Sequence, residues 1–335
     1  MKDVAAVAGV SLATVSRVVN GRDDVRRDLQ ERVRRAIDHL GYRRDLTAST
    51  LRRADRASSI IGLVHEDVSN PFFAAVHRGV EDVARRRGVL TISGSSDEDP
   101  ERERELAEAF AARGVDGLII APCGTDQSYL ASERARGTRL VFVDRAPRGI
   151  EADAVRSDNF AAATAAVAHL IGAGHRRIAF LGDRPDILTA ADRLRGYRAT
   201  LADAGIAHDP ALERLGCSSE ALAARAAHEL LDGPSPPTAF FSAQNLITAG
   251  TVRALRALGL ARTVALVGLD DLVLGDLLDP GITVVRQDPV ALGRHAAELL
   301  FARLDGFDGP ARTIVLDTEL VARGSGEIAP SVVGA

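Results

Sequence analysis

The chain has 335 residues, 46% of them hydrophobic, and a formal net charge of −4. That length and apolar content support two or three globular units with proper cores and exclude a disordered chain. The charge is uneven: residues 1–56 carry 13 Lys and Arg against 8 Asp and Glu, a net of +5 that leaves −9 for the remainder, the pattern of a protein whose basic head alone meets a polyanion.

The first twenty residues, MKDVAAVAGVSLATVSRVVN, read as two short helices and a tight turn. Val4, Ala5 and Ala8 form one face of the first helix, and Gly9 can take the left-handed conformation that stops it. Ser11 is a good N-cap for the second, its hydroxyl able to accept from the N–H of Thr14, with Val10 and Val15 as a hydrophobic staple. On a helical wheel Val15, Val18 and Val19 share one side with Thr14 at its margin. Leu12, Ala13, Ser16, Arg17 and Asn20 share the other. A free face with an Arg, small residues and hydroxyls is what a recognition helix needs to enter a major groove; the alternative is a plain surface hairpin.

Leu29, Val33, Ala36, Ile37 and Leu40 make the stripe of a third helix ended by Gly41. Arg26-Arg27 at its start is read as a phosphate contact in preference to mere solvation. In the stretch from Arg43 to Arg53, Asp45 can cap a helix of two turns, too short to be stable alone, which points to a linker that folds on DNA. Leu51 then has two readings, a wedge between base steps in a minor groove or packing on the body.

From Ser58 onward, strand and helix alternate. Apolar or β-branched runs occur at 60–64, 89–93, 117–121, 140–144, 178–182, 239–242 and 264–268. Asn70-Pro71 and Asp99-Pro100 supply N-caps with Pro at the first helical position. The expected fold class is therefore α/β: a helical head and hinge helix, then a two-lobed, doubly wound core with parallel sheets. The strands fall into two batches separated by Ala154 to Ser157. The late stretch Ile282 to Leu304 offers a strand and a helix that can return to the first batch, so that crossing linkers make a hinged cleft.

Ligands of open parallel sheets sit beyond the carboxyl ends of the strands. The residues there are polar: His65-Glu66-Asp67, Ser95-Ser96-Asp97, Asp144-Arg145, Asp183-Arg184, Gln244-Asn245 and Asp270-Asp271. Carboxylates, amides and arginine fork onto vicinal hydroxyls, and Phe72 or Phe73 can stack on the flat face of a sugar or base. This set suits binding more than reaction. No GxSxG elbow, GxxxxGK[ST] loop or GxGxxG fingerprint is present, and no catalytic set or cofactor site is expected. Neighbours after a strand point to opposite sides, so Asp270 and Asp271 are not read as an acid and base pair. Cys123 and Cys217 match no CxxC or zinc spacing, the histidines lack metal spacing, and no metal is expected. No run of 18 apolar residues occurs and Met1-Lys2-Asp3 leads into an amphipathic helix without an apolar leader core. The expectation is a bacterial cytoplasmic, nucleoid-associated protein with no membrane contact.

The sequence VAxxAGVSxxTVSRVVN, followed by SNPFF at 69–73, VDGLII at 115–120, FVDR at 142–145, GHRRIAFLGD at 174–183, RLRGY at 193–197, VGLDD at 267–271 and RQDPVALG at 286–293, resembles the lactose-repressor (LacI/GalR) family of bacterial transcription regulators over essentially the whole chain. The resemblance implies a homodimer on a pseudo-palindromic operator, most often as a repressor, controlled by a small-molecule effector that is usually a sugar or sugar derivative. It implies that Leu12, Ala13 and Arg17 contact base edges, that Ser11, Thr14, Ser16 and Asn20 lie near phosphates, and that Ala48 and Leu51 enter the central minor groove. In the core it maps effector contacts onto Phe73, with Phe72 beside it, Asp144, Arg193, Gln244 and Asp270. The domains expected are a DNA-binding head at 1–44, a hinge at 45–57, a first lobe at 58–157 and 288–314, a second lobe at 158–287 and 315–327, and a tail at 328–335. Four departures stand out. Met1 lies almost at the first helix, Arg26 replaces a serine cap, Arg44 replaces a linker proline, and Ala243-Gln244-Asn245 stands where the family usually has Asn-Asp. A plain solute-binding protein and a small-molecule enzyme on the same scaffold are the competing readings.

Overall fold

The computed structural model describes residues 1–19, 22, 24–41 and 58–330, and the chain divides into two compact units between Ser58 and Ser59.

The first unit holds three helices, α1 (Lys2–Ala8), α2 (Leu12–Val19) and α3 (Arg27–Leu40). Gly9 ends α1 at φ 62° and Gly41 ends α3 at φ 56°, both left-handed as their lack of a Cβ permits. Val4, Ala8, Val15, Val33 and Ala36 form the buried core, with Val10, Val18, Val19 and Ile37 packed on it. Leu40 departs from the expected stripe: one turn beyond Ala36 it is exposed, while Val25, ahead of the helix, is buried. An unforeseen tie comes from Arg32, whose Nη2 donates to the carbonyls of Ala8 at 2.6 Å and Gly9 at 3.2 Å, satisfying orphan acceptors at the end of α1.

The second unit consists of two lobes, each built on a six-stranded sheet. In the first lobe β1 (Ile60–His65), β2 (Leu90–Ser95), β3 (Gly117–Ile120), β4 (Arg139–Val143), β5 (Asp153–Ser157) and β11 (Thr313–Leu316) are all parallel, in the order β11-β5-β4-β3-β1-β2. The second contains β6 (Ile178–Leu181), β7 (Glu213–Arg214), β8 (Ala239–Ser242), β9 (Ala265–Leu269), β10 (Thr283–Arg286) and β12 (Glu319–Val321), ordered β12-β10-β9-β8-β6-β7, with only β12 antiparallel. Crossover helices cover both faces, as parallel sheets require. In the first lobe α4 (Pro71–Arg86) and α11 (Pro289–Leu304) pack on the face carrying Ile61 and Leu63, and α5 (Pro100–Ala112) on the face carrying Val64. The expected caps form: Asn70 accepts from the N–H of Phe72 and Asp99 from that of Glu101.

The chain crosses between lobes three times, after β5, β10 and β11. Of the stretch 282–304 the helix returns to the first lobe but the strand does not: β10 stays in the second sheet, paired to β9. The boundary expected between residues 314 and 315 is also corrected, because it falls inside β11, whose Val315 and Leu316 remain hydrogen-bonded to β5. Two features seat α11 against its lobe. A Cβ on Gly293 would lie 2.0 Å from the Val76 carbonyl oxygen, and one on Gly79 2.2 Å from that of Val290, so α4 and α11 touch backbone to backbone. The side chain of Asp153, wholly buried, takes both ends of the Arg303 guanidinium at 2.8–2.9 Å and one of Arg312 at 3.1 Å, tying β5 to α11 and β11.

Candidate functional site

The first site is the outward face of α2. Ser11 Oγ accepts from the N–H of Thr14 at 3.1 Å and bonds its hydroxyl at 2.9 Å, so the cap read from the sequence forms and both hydroxyls sit at the helix start. Val15 is buried and Thr14 and Ser16 are half-buried, while Ser11, Leu12, Ala13 and Arg17 are exposed. Amphipathicity thus presents one arginine, one leucine and small groups to solvent. Arg26 is exposed just before α3, where it pairs with Asp28 at 2.9 Å; so exposed a pair is worth little and yields readily to a phosphate. Asn20, Ala48, Leu51 and the rest of the linker lie outside the described residues.

The second site is the cleft between the lobes. The carboxyl ends of β1 and β4 and the start of α4 bring Glu66, Asn70, Phe72, Phe73, Asp144 and Arg145 to one wall. The ends of β6, β8 and β9, with α8 (Leu188–Asp203), bring Asp183, Thr189, Arg193, Gln244 and Asp270 to the other. Phe72, Phe73, Asp144, Arg193, Gln244 and Asp270 therefore line a single pocket, which in this arrangement of the lobes is closed down to about 30 Å³ of free cavity. Asp144 at φ 69° and Asp270 at φ 65° are both left-handed. Aspartate is among the few side chains that tolerate that conformation, and here it turns each carboxylate off its strand into the cleft. Asp271, next along, points outward to Arg323, as the pleat demands.

Charge is concentrated and largely desolvated. Arg145 is buried among Glu66 at 3.3 Å, Glu98 at 2.5 Å and Asp144 at 3.3 Å. Burial works against its charge, but those carboxylates outweigh it and hold the guanidinium above its ordinary value. Burial, then Glu98, push Glu66 up to about 8 in spite of Arg145. Asp144 is raised by burial against the pull of Arg145 and Arg193. Burial lifts Asp270 to about 6 although Arg193 and a 2.7 Å hydrogen bond from Gln287 oppose it. Arg193 spends its own donors on neutral partners, Asn159 Oδ1 at 2.7 Å and the Ala243 carbonyl at 2.8 Å. Gln244 Oε1 is buried without a partner.

Asn245 proves different from its neighbour. Its Nδ2 donates across the cleft to Asn70 Oδ1 at 2.8 Å, both residues being buried, so it latches one lobe to the other. Sequence reasoning missed Asn159, Gln287 and Thr189. Thr189 and Arg193 are four apart, one face of α8, and helical periodicity alone could have paired them. Among the described residues no cluster of three metal-ligating side chains occurs, and no helix is long and apolar enough to cross a membrane.

Residues 1–45 match the bacterial regulatory proteins of the lacI family, and residues 167–326 the periplasmic binding protein-like domain. Over 331 residues the chain is 34% identical to the HTH-type transcriptional regulator CelR of Thermobifida fusca, covering 96% of this chain and 97% of that one. The chain belongs to the LacI family. This LacI-family protein is a DNA-binding transcriptional regulator and not an enzyme, as its sequence implied. It shares its fold with a solved CelR–cellobiose complex, at TM-score 0.72 and 31% identity over 97% of this chain and 98% of the other. It also matches the lac repressor dimer bound to operator and the anti-inducer ONPF, at TM-score 0.84 and 26% identity over 97% and 98%.

Proposed function

We propose that this LacI-family regulator represses transcription as a homodimer, each α2 reading one operator half-site, and that a polyhydroxylated small molecule held between the lobes controls its grip on DNA. Arg17 is the one long donor on the exposed face and reads a base edge; Leu12 and Ala13 contact thymine methyls; Ser11, Thr14, Ser16 and Arg26 serve phosphates. In the cleft Phe72 and Phe73 stack against the ring while Asp144, Arg193, Gln244 and Asp270 take its hydroxyls. The observation that carries this reading is the convergence of strand ends from both lobes on one pocket bridged by the Asn70–Asn245 bond. A ligand touching both walls favours the closed arrangement over the open one, and that difference is what couples it to DNA.

The test is selection of genomic fragments by the purified regulator, followed by fluorescence anisotropy on the recovered site with a panel of mono- and disaccharides. One short palindrome, affinity falling steeply with salt, and release by a member of the panel are expected. Binding that ignores sequence removes the operator reading. Operator binding unchanged by any ligand that binds the cleft removes the control.

A further inference from the structure

The cleft holds an imbalance of charge that hydroxyl recognition does not need. Its first-lobe wall carries Glu66, Asp144 and Arg145, with Glu98 paired to that arginine, and its second-lobe wall Asp183, Arg193 and Asp270. Five carboxyl groups thus face two guanidiniums; Glu66, pushed up to about 8, is held mostly protonated, so the excess of charge rests on the other four. Arg145 is shared by three of the five, and Arg193 is hydrogen-bonded to neutral acceptors only. Asp270 receives one side-chain donor, from Gln287, and Asp183 the N–H of Arg184. The like charges also straddle the cleft, since Asp144 raises Asp270 and Glu98 raises Asp183 from the opposite lobe. The nearby Arg184 is exposed and paired with Asp186. Two further acceptors lack partners here, Gln244 Oε1 in the pocket wall and Oε1 of the buried Gln287 beside Asp270. Burying unpaired negative charge is costly, and each closure of the lobes repeats that cost. Hydroxyls would satisfy the acceptors but leave the charge.

We propose that the effector carries a protonated amine on its polyhydroxylated ring, an amino sugar being the simplest case, and that the ammonium bridges Asp144 and Asp270 across the closed cleft. The inference rests on the cleft being the effector site. An ammonium brings three donors and one positive charge to the unmet acceptors of Gln244 and Gln287 and the carboxylates beside them, and it binds both lobes at once. A bare metal ion fits less well, because the Arg145 guanidinium already lies among Glu66, Glu98 and Asp144, and no cluster of three metal-ligating groups occurs among the described residues.

Calorimetric titration of the full-length protein with D-glucosamine against D-glucose, D-galactosamine against D-galactose, and the N-acetyl derivatives of both amines tests this. The amine is expected to bind at least about tenfold more tightly than its neutral parent, with acetylation abolishing the advantage and Asp270→Asn reducing it. A neutral sugar that binds as well as its amine overturns the proposal while leaving the effector site intact. A sugar whose affinity is the same in Asp144→Asn and Asp270→Asn overturns the site reading itself. Where no member of the panel binds, the ligand-free variant Asp183→Asn/Asp270→Asn decides: a melting temperature raised by several degrees at pH 8 supports the excess of charge, and one unchanged or lowered refutes it.

Discussion

The Asn70–Asn245 bond is the most direct test of how the lobes are held. Asn245 Nδ2 donates to Asn70 Oδ1 at 2.8 Å, and the same oxygen accepts from the N–H of Phe72 at 3.1 Å. Asn245→Ala removes this neutral hydrogen bond, a loss of about 1 kcal/mol, together with the local one its Oδ1 accepts from the N–H of Leu246 at 2.8 Å, and leaves Asn70 its cap. Asn70→Ala removes the bond and the cap, about 1 kcal/mol more, and strands the buried Nδ2 of Asn245 at a further cost of about 1–3 kcal/mol. The two substitutions are therefore unequal, and the double variant, which leaves no stranded donor and loses the bond only once, costs less than their sum by about 2–4 kcal/mol. Asn70→Ser keeps a capping oxygen but cannot reach Asn245, and falls between them. Urea unfolding of the four variants gives these differences. Because the bond exists only with the lobes together, Asn245→Ala also weakens any ligand of the closed form, by about fivefold for 1 kcal/mol. Equal costs for Asn70→Ala and Asn245→Ala, or additivity within about 0.3 kcal/mol, refute the latch.

Three further outcomes are expected. Gly293→Ala forces a Cβ to within 2.0 Å of the Val76 carbonyl and must push α11 off α4, lowering stability by about 1–3 kcal/mol or more in thermal unfolding, whereas Gly172→Ala, with nothing within 4 Å, is neutral or stabilising. Asp270 takes up a proton near pH 6 when folded but near 3.8 when unfolded, so the native state binds more protons between those values and its stability falls as pH rises through that window. Asp270→Asn flattens this part of the pH–stability curve and gains on the order of 2–3 kcal/mol above pH 7, and parallel curves for the two proteins would exclude a buried charge at this position. Arg32→Ala frees the carbonyls of Ala8 and Gly9 and lowers the melting point of the head, at about 1 kcal/mol, without moving the salt slope of operator binding, because Arg32 points at α1 and not at phosphate. A reduced slope would show that it touches DNA.

What could be read from the chain beforehand follows from how local each feature is. The turn of the head was legible because Gly9, Val10, Ser11 and Val15 act within a span of seven residues, each by backbone conformation or a contact about one helical turn long. The alternating strands and helices were legible for the same reason, their apolar runs and their Asn-Pro and Asp-Pro starts being complete in themselves. Gly79 and Gly293 were not: a glycine inside a helix looks like a weakness until the other helix is known to lie against it, some two hundred residues away in the chain. The strand of 283–286, which the alternation alone let return to the first lobe, was open for the same reason, since its choice of sheet rests on pairing with β9 and not on its own residues. The cleft shows the division within single pairs of neighbours. Gln244 and Asn245 read as one amide fork, yet the start of α10 (Asn245–Ala257) turns one to the pocket and the other to the facing lobe. Asp270 and Asp271 were separable in advance because the pleat fixes their directions whatever surrounds them. The charge imbalance lay between these cases. Each carboxyl group was visible, but only the fold shows that five of them share two guanidiniums, and it is that sum, which no single segment contains, that limits what the cleft can hold.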